Sequence, residues 1–219
     1  MKKALIFFIA LVIVFGVAIL LFWDIRSVNE NANTSIKNND FIFNNQANVN
    51  KEAVVSNETL VPPVDEFLQR ITKKPFGIYI TPATSPVQPE KFSGYHTGVD
   101  VEFTDIEDKV IVKSVAAGQV IEVRQVSGYG GVVVIQHQID DQPVLGLYGH
   151  LNLESVTVQL GESVTKGQQI GILGQSGPET DGERKHLHFG LIKGSTINYL
   201  GYVKTEAELS AWLDPLEFY

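Results

Sequence analysis

The stretch KHLHFG, Lys185–Gly190, sets two histidines one residue apart. In an extended strand, residues i and i+2 share a face. His186 and His188 therefore stand side by side, and Leu187 and Phe189 point the other way. A strand with one apolar face and a polar pair on the other sets the terms for reading the rest of the chain.

Neighbouring segments share the period of two. In SVTVQL (155–160), Val156, Val158 and Leu160 fall on one face. In QVIEVRQ (119–125), Ile121 and Val123 share one face while Glu122 and Arg124 share the other. GVVVIQH (131–137) is almost entirely apolar and predicts a central strand, and GQQIGILG (167–174) and HLHFGLI (186–192) complete the set. SGYGG, QIDDQP, LGES, TKG and GPETDGE mark the turns. Short strands at this spacing predict an all-β domain, an antiparallel sandwich or barrel-like fold. TEAELSAWL (205–213) predicts a short helix, with Thr205 and Glu208 at capping-box spacing and Asp214-Pro215 ending it.

Upstream the character changes. Ala4–Trp23 is twenty residues without a charge, and a helix of that length rises about 30 Å, the thickness of a bilayer core. A cleaved signal peptide would have a shorter apolar region, about 7–15 residues, and a small-x-small site. This run ends in Leu-Leu-Phe-Trp, so residues 1–26 are expected to be an uncleaved transmembrane anchor. Lys2 and Lys3 favour a cytoplasmic N-terminus, which places the rest outside: a single-pass protein of the cell membrane with its C-terminal domain extracytoplasmic. Residues 27–60 are Asn-rich and lack a hydrophobic period, as expected of a flexible linker. The domain is expected over 61–219, opening with a short helix through Gln69.

Among 219 residues, 44% are hydrophobic and 19% charged, enough for one core. A net charge of −8 with no basic stripe argues against nucleic acid. The absence of Cys excludes disulfides, thiolate metal sites and a Cys nucleophile.

The chain has only five histidines. His137 shares a face with Val133 and Ile135 and is read as structural. The other four have company. YHTGVDVEF places His96 four residues before Asp100. In an extended chain their Cα atoms would lie about 13 Å apart, so one ion can hold both only if the chain bends, and Gly98 permits the bend. LYGHLN adds His150 at the end of a strand-like run. Four histidines and one Asp point to a metal site. Imidazole and carboxylate suit Zn²⁺ best, with Ni, Co or Fe also compatible by ligand type. Five candidates exceed a closed site but match three ligands, an open position and two acid/base groups. Of the pair His186 and His188, one would hold the metal and the other act on substrate or water; spacing does not say which. No HExxH occurs.

HTGVD, LYGHL and HLHFG, in that order within a β-rich domain, resemble the lysostaphin/LytM-type M23 metallopeptidases. The resemblance runs from about Ile71 to Tyr219 and takes in PFG (75–77), SVAAGQVIEV, GYGGVVVIQH, VTVQLGESVTKGQQIGILGQSG (156–177) and the terminal DPLEF. It implies an M23 peptidase domain with His96, Asp100 and His188 as Zn²⁺ ligands and His150 and His186 as the flanking catalytic histidines. Zn²⁺ with one carboxylate and two neutral imidazoles leaves a charge of about +1, which acidifies a water and polarises an amide carbonyl. The resemblance leaves open which histidine performs which proton transfer.

The implied activity is zinc-dependent endopeptidase action on peptide bonds in the stems or cross-links of bacterial peptidoglycan, with no protein partner specified. The alternative is a catalytically silent or gated M23-like wall-binding protein that activates another hydrolase. A peptidase acting on a protein substrate also fits. A lipoyl-type carrier, suggested by TKGQQIG around Lys166, would leave four histidines unexplained. The chain departs from the pattern in the long charged loop SGPETDGERKHLH, with Lys185 where proline is common, and in FGIYITP, which lacks the usual arginine. Some relatives use a tyrosine a few residues upstream of the first ligand, and Tyr95, adjacent to His96, does not match that position. The acidic segment EFTDIED (102–108) reads as a solvated loop.

Overall fold

The computed structural model describes residues 60–219. The expected anchor lies outside the described residues, as does the linker up to residue 59. Leu60, the last residue of that linker, is buried in the core. Among the described residues no helix is long and apolar enough to cross a membrane.

The strands are, in chain order, β1 (Tyr79–Ile80), β2 (Gly94–His96), β3 (Val99–Glu102), β4 (Ile111–Lys113), β5 (Gly118–Val126), β6 (Gly130–Ile139), β7 (Gln142–Asn152), β8 (Ser163–Val164), β9 (Gln169–Leu173), β10 (His186–Lys193), β11 (Tyr202–Val203) and β12 (Trp212–Leu213). All pairings are antiparallel. One sheet runs β1-β2-β11. The larger runs β12-β10-β7-β6-β5-β8, with β3 also on β10 and β9 joining β7 to β4. The all-β antiparallel expectation holds.

β6 and β7 join through Asp140 and Asp141, both at positive φ, the backbone of a two-residue type I′ hairpin. β10 lies inside the larger sheet. It pairs along one edge with β7, and along the other with β3 over His186–Phe189 and β12 over Leu191–Ile192.

Both faces of the larger sheet are covered. Leu187, Phe189 and Leu191 of β10 enter one apolar cluster with Val99, Val101, Val133, Ile135 and Tyr148. Val132, Val134, Leu145, Leu147 and Ile192 enter a second, with Val203 of β11 and Tyr95 of β2. The small sheet thus covers the second face. The alternation in HLHFGLI therefore delivers His186 and His188 to the side where the two sheets meet.

Four local readings change. Residues 155–160 are not a strand: a 3-10 helix takes up Leu153–Ser155, and Leu160 is 71% exposed. Ile121 and Val123 do not share a face, because a bulge between Val120 and Glu122 shifts the register. Val120 and Val123 face the first cluster and Ile121 the second. The C-terminal helix is confined to α1 (Glu206–Leu209), with the Thr205/Glu208 capping box formed. Trp212 and Leu213 leave it to pair with β10. The short helix before Gln69 is a 3-10 turn, Leu68–Arg70.

Candidate metal centre and catalytic cleft

Antiparallel register aligns the polar positions of β3 and β10. His188 stands opposite Asp100 and His186 opposite Glu102, so side chains on one face become close neighbours. His96 enters from the end of β2. Thr97 and Gly98 turn the chain between β2 and β3, which solves the 13 Å problem of an extended segment. A Cβ on Gly98 would lie 2.5 Å from the Phe189 carbonyl oxygen and 2.9 Å from His188 Nε2. Glycine is required here for close approach.

Three atoms able to serve as metal ligands converge. Asp100 Oδ1 lies 3.2 Å from His96 Nε2 and 3.1 Å from His188 Nδ1, and the two imidazole nitrogens are 3.2 Å apart. His96 Nδ1 donates to the Pro75 carbonyl at 3.2 Å, so neutral His96 presents a bare Nε2 lone pair to the cluster. Protein-bound zinc takes nitrogen and oxygen ligands at about 2.0–2.2 Å in a tetrahedron, which requires ligand separations of roughly this size. The three residues thus fit a zinc ion by donor type and spacing.

His150 and His186 flank this triangle, their ring centroids 4.2 Å apart. His186 Nδ1 donates to the Arg184 carbonyl at 2.9 Å, and its Nε2 lies 3.5 Å from Asp100 Oδ2. His150 arrives by a different device. Gly131 pairs with Leu151 and Val133 with Tyr148, so Gly149 and His150 together oppose Val132. This β7 bulge holds His150 at φ +63°. Tyr148 and Leu151 consequently both face the first core cluster. Strict alternation would have put His150 on the side of Tyr148; the bulge re-aims it into the cleft.

Burial keeps the imidazoles of His150, His186 and His188 neutral, and the carboxylate stays charged. Burial pushes His150 down to about 3 and His186 well below the ordinary histidine value; it also lowers His188. Burial alone would raise the Asp100 carboxyl. The imidazoles of His186 and His96 and the hydrogen bond of His188 outweigh it and hold Asp100 well below the usual range.

The structure adds residues that the sequence did not single out. Arg184 bonds Asp100 Oδ2 at 2.9 Å through Nη2 and grips Glu102 through Nε and Nη2 at 2.5–3.1 Å. Glu102 is therefore a buried ion-pair partner, not part of a solvated loop. Lys74 donates to Glu90 at 2.6 Å and to the Tyr202 hydroxyl oxygen at 2.9 Å. The Tyr202 ring lies 5.1 Å from that of His96. Burial, then the charges of Asp100 and Glu90, raise the Tyr202 phenol, so it stays an O–H. Tyr129 Oη lies 3.4 Å from His188 Nε2.

Asp100, His150, His186, His188, Arg184 and Lys74 line a cleft of about 240 Å³ together with Tyr129 and Tyr202, and its wall also includes Phe92, Tyr199 and Leu200. Tyr95 is not among the lining residues; its hydroxyl reaches Glu206 at 3.4 Å. The charged loop before β10 could have pointed to Arg184. Nothing local marks Tyr129, Tyr202 or Lys74, which long-range packing brings in. His137 also has polar company, its Nδ1 donating to the Ala117 carbonyl at 3.0 Å, as suits a structural residue.

Residues 94–199 match the model of peptidase family M23. Endolysin 2638A of Staphylococcus phage 2638A is 34% identical over 98 residues, 45% of this chain and 19% of the endolysin. The murein hydrolase activator EnvC of Escherichia coli (strain K12) is 36% identical over 88 residues, 40% of this chain and 19% of EnvC. Among solved structures, the catalytic domain of the antimicrobial peptidase lysostaphin from Staphylococcus simulans matches at a TM-score of 0.47 and 24% identity, covering 68% of this chain and 92% of that one. The match spans about a fifth of the length of the curated relatives.

Proposed function

We propose, from the premise that residues 94–199 of this chain are a peptidase family M23 domain, that the protein is a zinc-dependent endopeptidase cutting peptide bonds in the stems or cross-links of bacterial peptidoglycan. One observation carries this reading. Three buried atoms able to ligate a metal, His96 Nε2, Asp100 Oδ1 and His188 Nδ1, meet within 3.2 Å of one another beside the imidazoles of His150 and His186, which line an open cleft.

When bound, Zn²⁺ supplies the Lewis acidity that polarises a carbonyl and acidifies a water. The remaining work falls to the chain. His186 has its Nδ1 proton committed to the Arg184 carbonyl, so its Nε2 is the available base. It takes a proton from the attacking water and returns one to the leaving amine, with His150 beside it as the partner in that exchange. The phenolic O–H groups of Tyr129 and Tyr202 face the same cleft and offer donors to the oxygen that gains charge. The apolar segment Ala4–Trp23 would hold the domain on the outer side of the cell membrane, against its substrate.

The second reading is an activator of another wall hydrolase, favoured by the name of the EnvC relative. The filled metal-ligand set favours the enzyme. Digestion of purified peptidoglycan sacculi with the full chain, analysed by mass spectrometry, separates them. An enzyme generates new amine and carboxyl ends that vanish with chelator and return with zinc. A folded, zinc-loaded chain that releases nothing would move the assignment to the activator.

A further inference from the structure

Arg184 is held by two carboxylates of β3 and itself holds two parts of the site. Its Nε and Nη2 bind Glu102, and Nη2 also binds Asp100 Oδ2 at 2.9 Å. Its carbonyl fixes the Nδ1 proton of His186 at 2.9 Å. The remaining nitrogen, Nη1, is enclosed without a hydrogen-bond partner, so every protein hydrogen bond of the guanidinium goes to these two carboxylates.

We infer that Arg184 is a positioning residue for the metal ligand Asp100: it occupies Oδ2 and thereby turns Oδ1 alone toward His96 and His188. Arg184 also touches the neighbouring imidazole: its carbonyl accepts from His186 Nδ1 at 2.9 Å, so the same residue fixes the orientation of Asp100 and of the His186 ring. Glu102 anchors the device. It lies on the same face of β3 as Asp100, opposite His186, and its bidentate grip fixes the plane of the guanidinium.

Two effects oppose each other. A cation beside a metal site repels the metal, so by charge alone removing Arg184 would tighten zinc binding. Lys73 lies 3.5 Å from Glu102, so a cation remains beside that carboxylate when Arg184 is gone, which limits the change in charge at the site. The loss of a partner that orients a ligand typically lowers metal affinity about 10–100-fold. Positioning therefore sets the sign.

The inference rests on the metal reading proposed above, and zinc affinity of the full chain tests it by competition against a chromophoric chelator. Arg184→Met is expected to bind zinc at least about 10-fold more weakly than the unaltered chain. Arg184→Lys keeps the charge but loses the two-carboxylate fork, so it should weaken binding as well. Zinc affinity that is unchanged or tighter in Arg184→Met overturns the inference. If that variant does not fold, unchanged affinity in Arg184→Lys overturns it in the same way. Absence of zinc binding by the unaltered chain would instead overturn the metal reading itself.

Discussion

At the scale of single residues, the site depends on where protons are prevented from going. The Pro75 and Arg184 carbonyls take the Nδ1 protons of His96 and His186, and burial keeps His150, His186 and His188 neutral. The lone pairs that remain point inward. This separates two kinds of histidine by experiment. His188→Ala removes one corner of the triangle and is expected to abolish both zinc content and peptide release. His150→Ala leaves the triangle whole; it should keep one zinc per chain while turnover falls about 10²–10⁴-fold. Elemental analysis beside a peptide-release assay reads both, and full zinc occupancy in His188→Ala would break the ligand assignment. The pairing of His186 with His188 was legible in the sequence, because the alternation of KHLHFG carries through to the structure, and His96 meets Asp100 through the bend that Gly98 permits. Arg184, Lys74, Tyr129 and Tyr202 were not legible. Each is brought in by packing between segments far apart in the chain, as when Lys74 meets Tyr202 across 128 positions.

At the scale of elements, the register of β3 against β10 and the bulge in β7 place the chemistry. Alternation forecast β10 correctly because it is paired without interruption from His186 to Lys193. It failed on β5, where one extra residue at the bulge near Ile121 exchanges the faces. A one-residue insertion into a ladder leaves no trace in composition or period, so the bulge that aims His150 was equally hidden. That bulge makes a measurable demand on the backbone. His150 sits at φ +63°, a conformation that costs a residue with a Cβ roughly 1–2 kcal/mol and glycine little. His150→Gly and His150→Ala both lack the imidazole, yet the glycine variant is expected to be more stable by about 1 kcal/mol. For a domain of this size that is about 2–4 °C in the unfolding midpoint. Calorimetry of the two variants decides it. An alanine variant as stable as the glycine one would mean that β7 relaxes out of the bulge, and that His150 is aimed by something else.

At the scale of the whole domain, the residues that could hold a metal come from both sheets. His96 belongs to the small sheet, while Asp100 and His188 belong to paired strands of the large one. The sequence forecast one nearly all-apolar central strand among alternating ones, in an antiparallel fold. It did not show that the small sheet, built from segments as distant as β1 and β11, would roof the second face, because its strands are two or three residues long and carry no readable period. A metal at the junction therefore links the two sheets and should stabilise them together. An ion that binds only the folded state stabilises it by about 2.7 kcal/mol when its free concentration is a hundred times its dissociation constant. At about 2–4 °C per kcal/mol, the metal-free chain should unfold roughly 5–11 °C below the zinc-loaded chain, and zinc add-back should restore the difference. His188→Ala provides the internal control, since its midpoint should ignore both chelator and zinc. A midpoint of the unaltered chain that is equally indifferent, with the metal shown to have been removed, would mean that His96, Asp100 and His188 are brought together by packing alone and that the metal is not a clamp between the sheets.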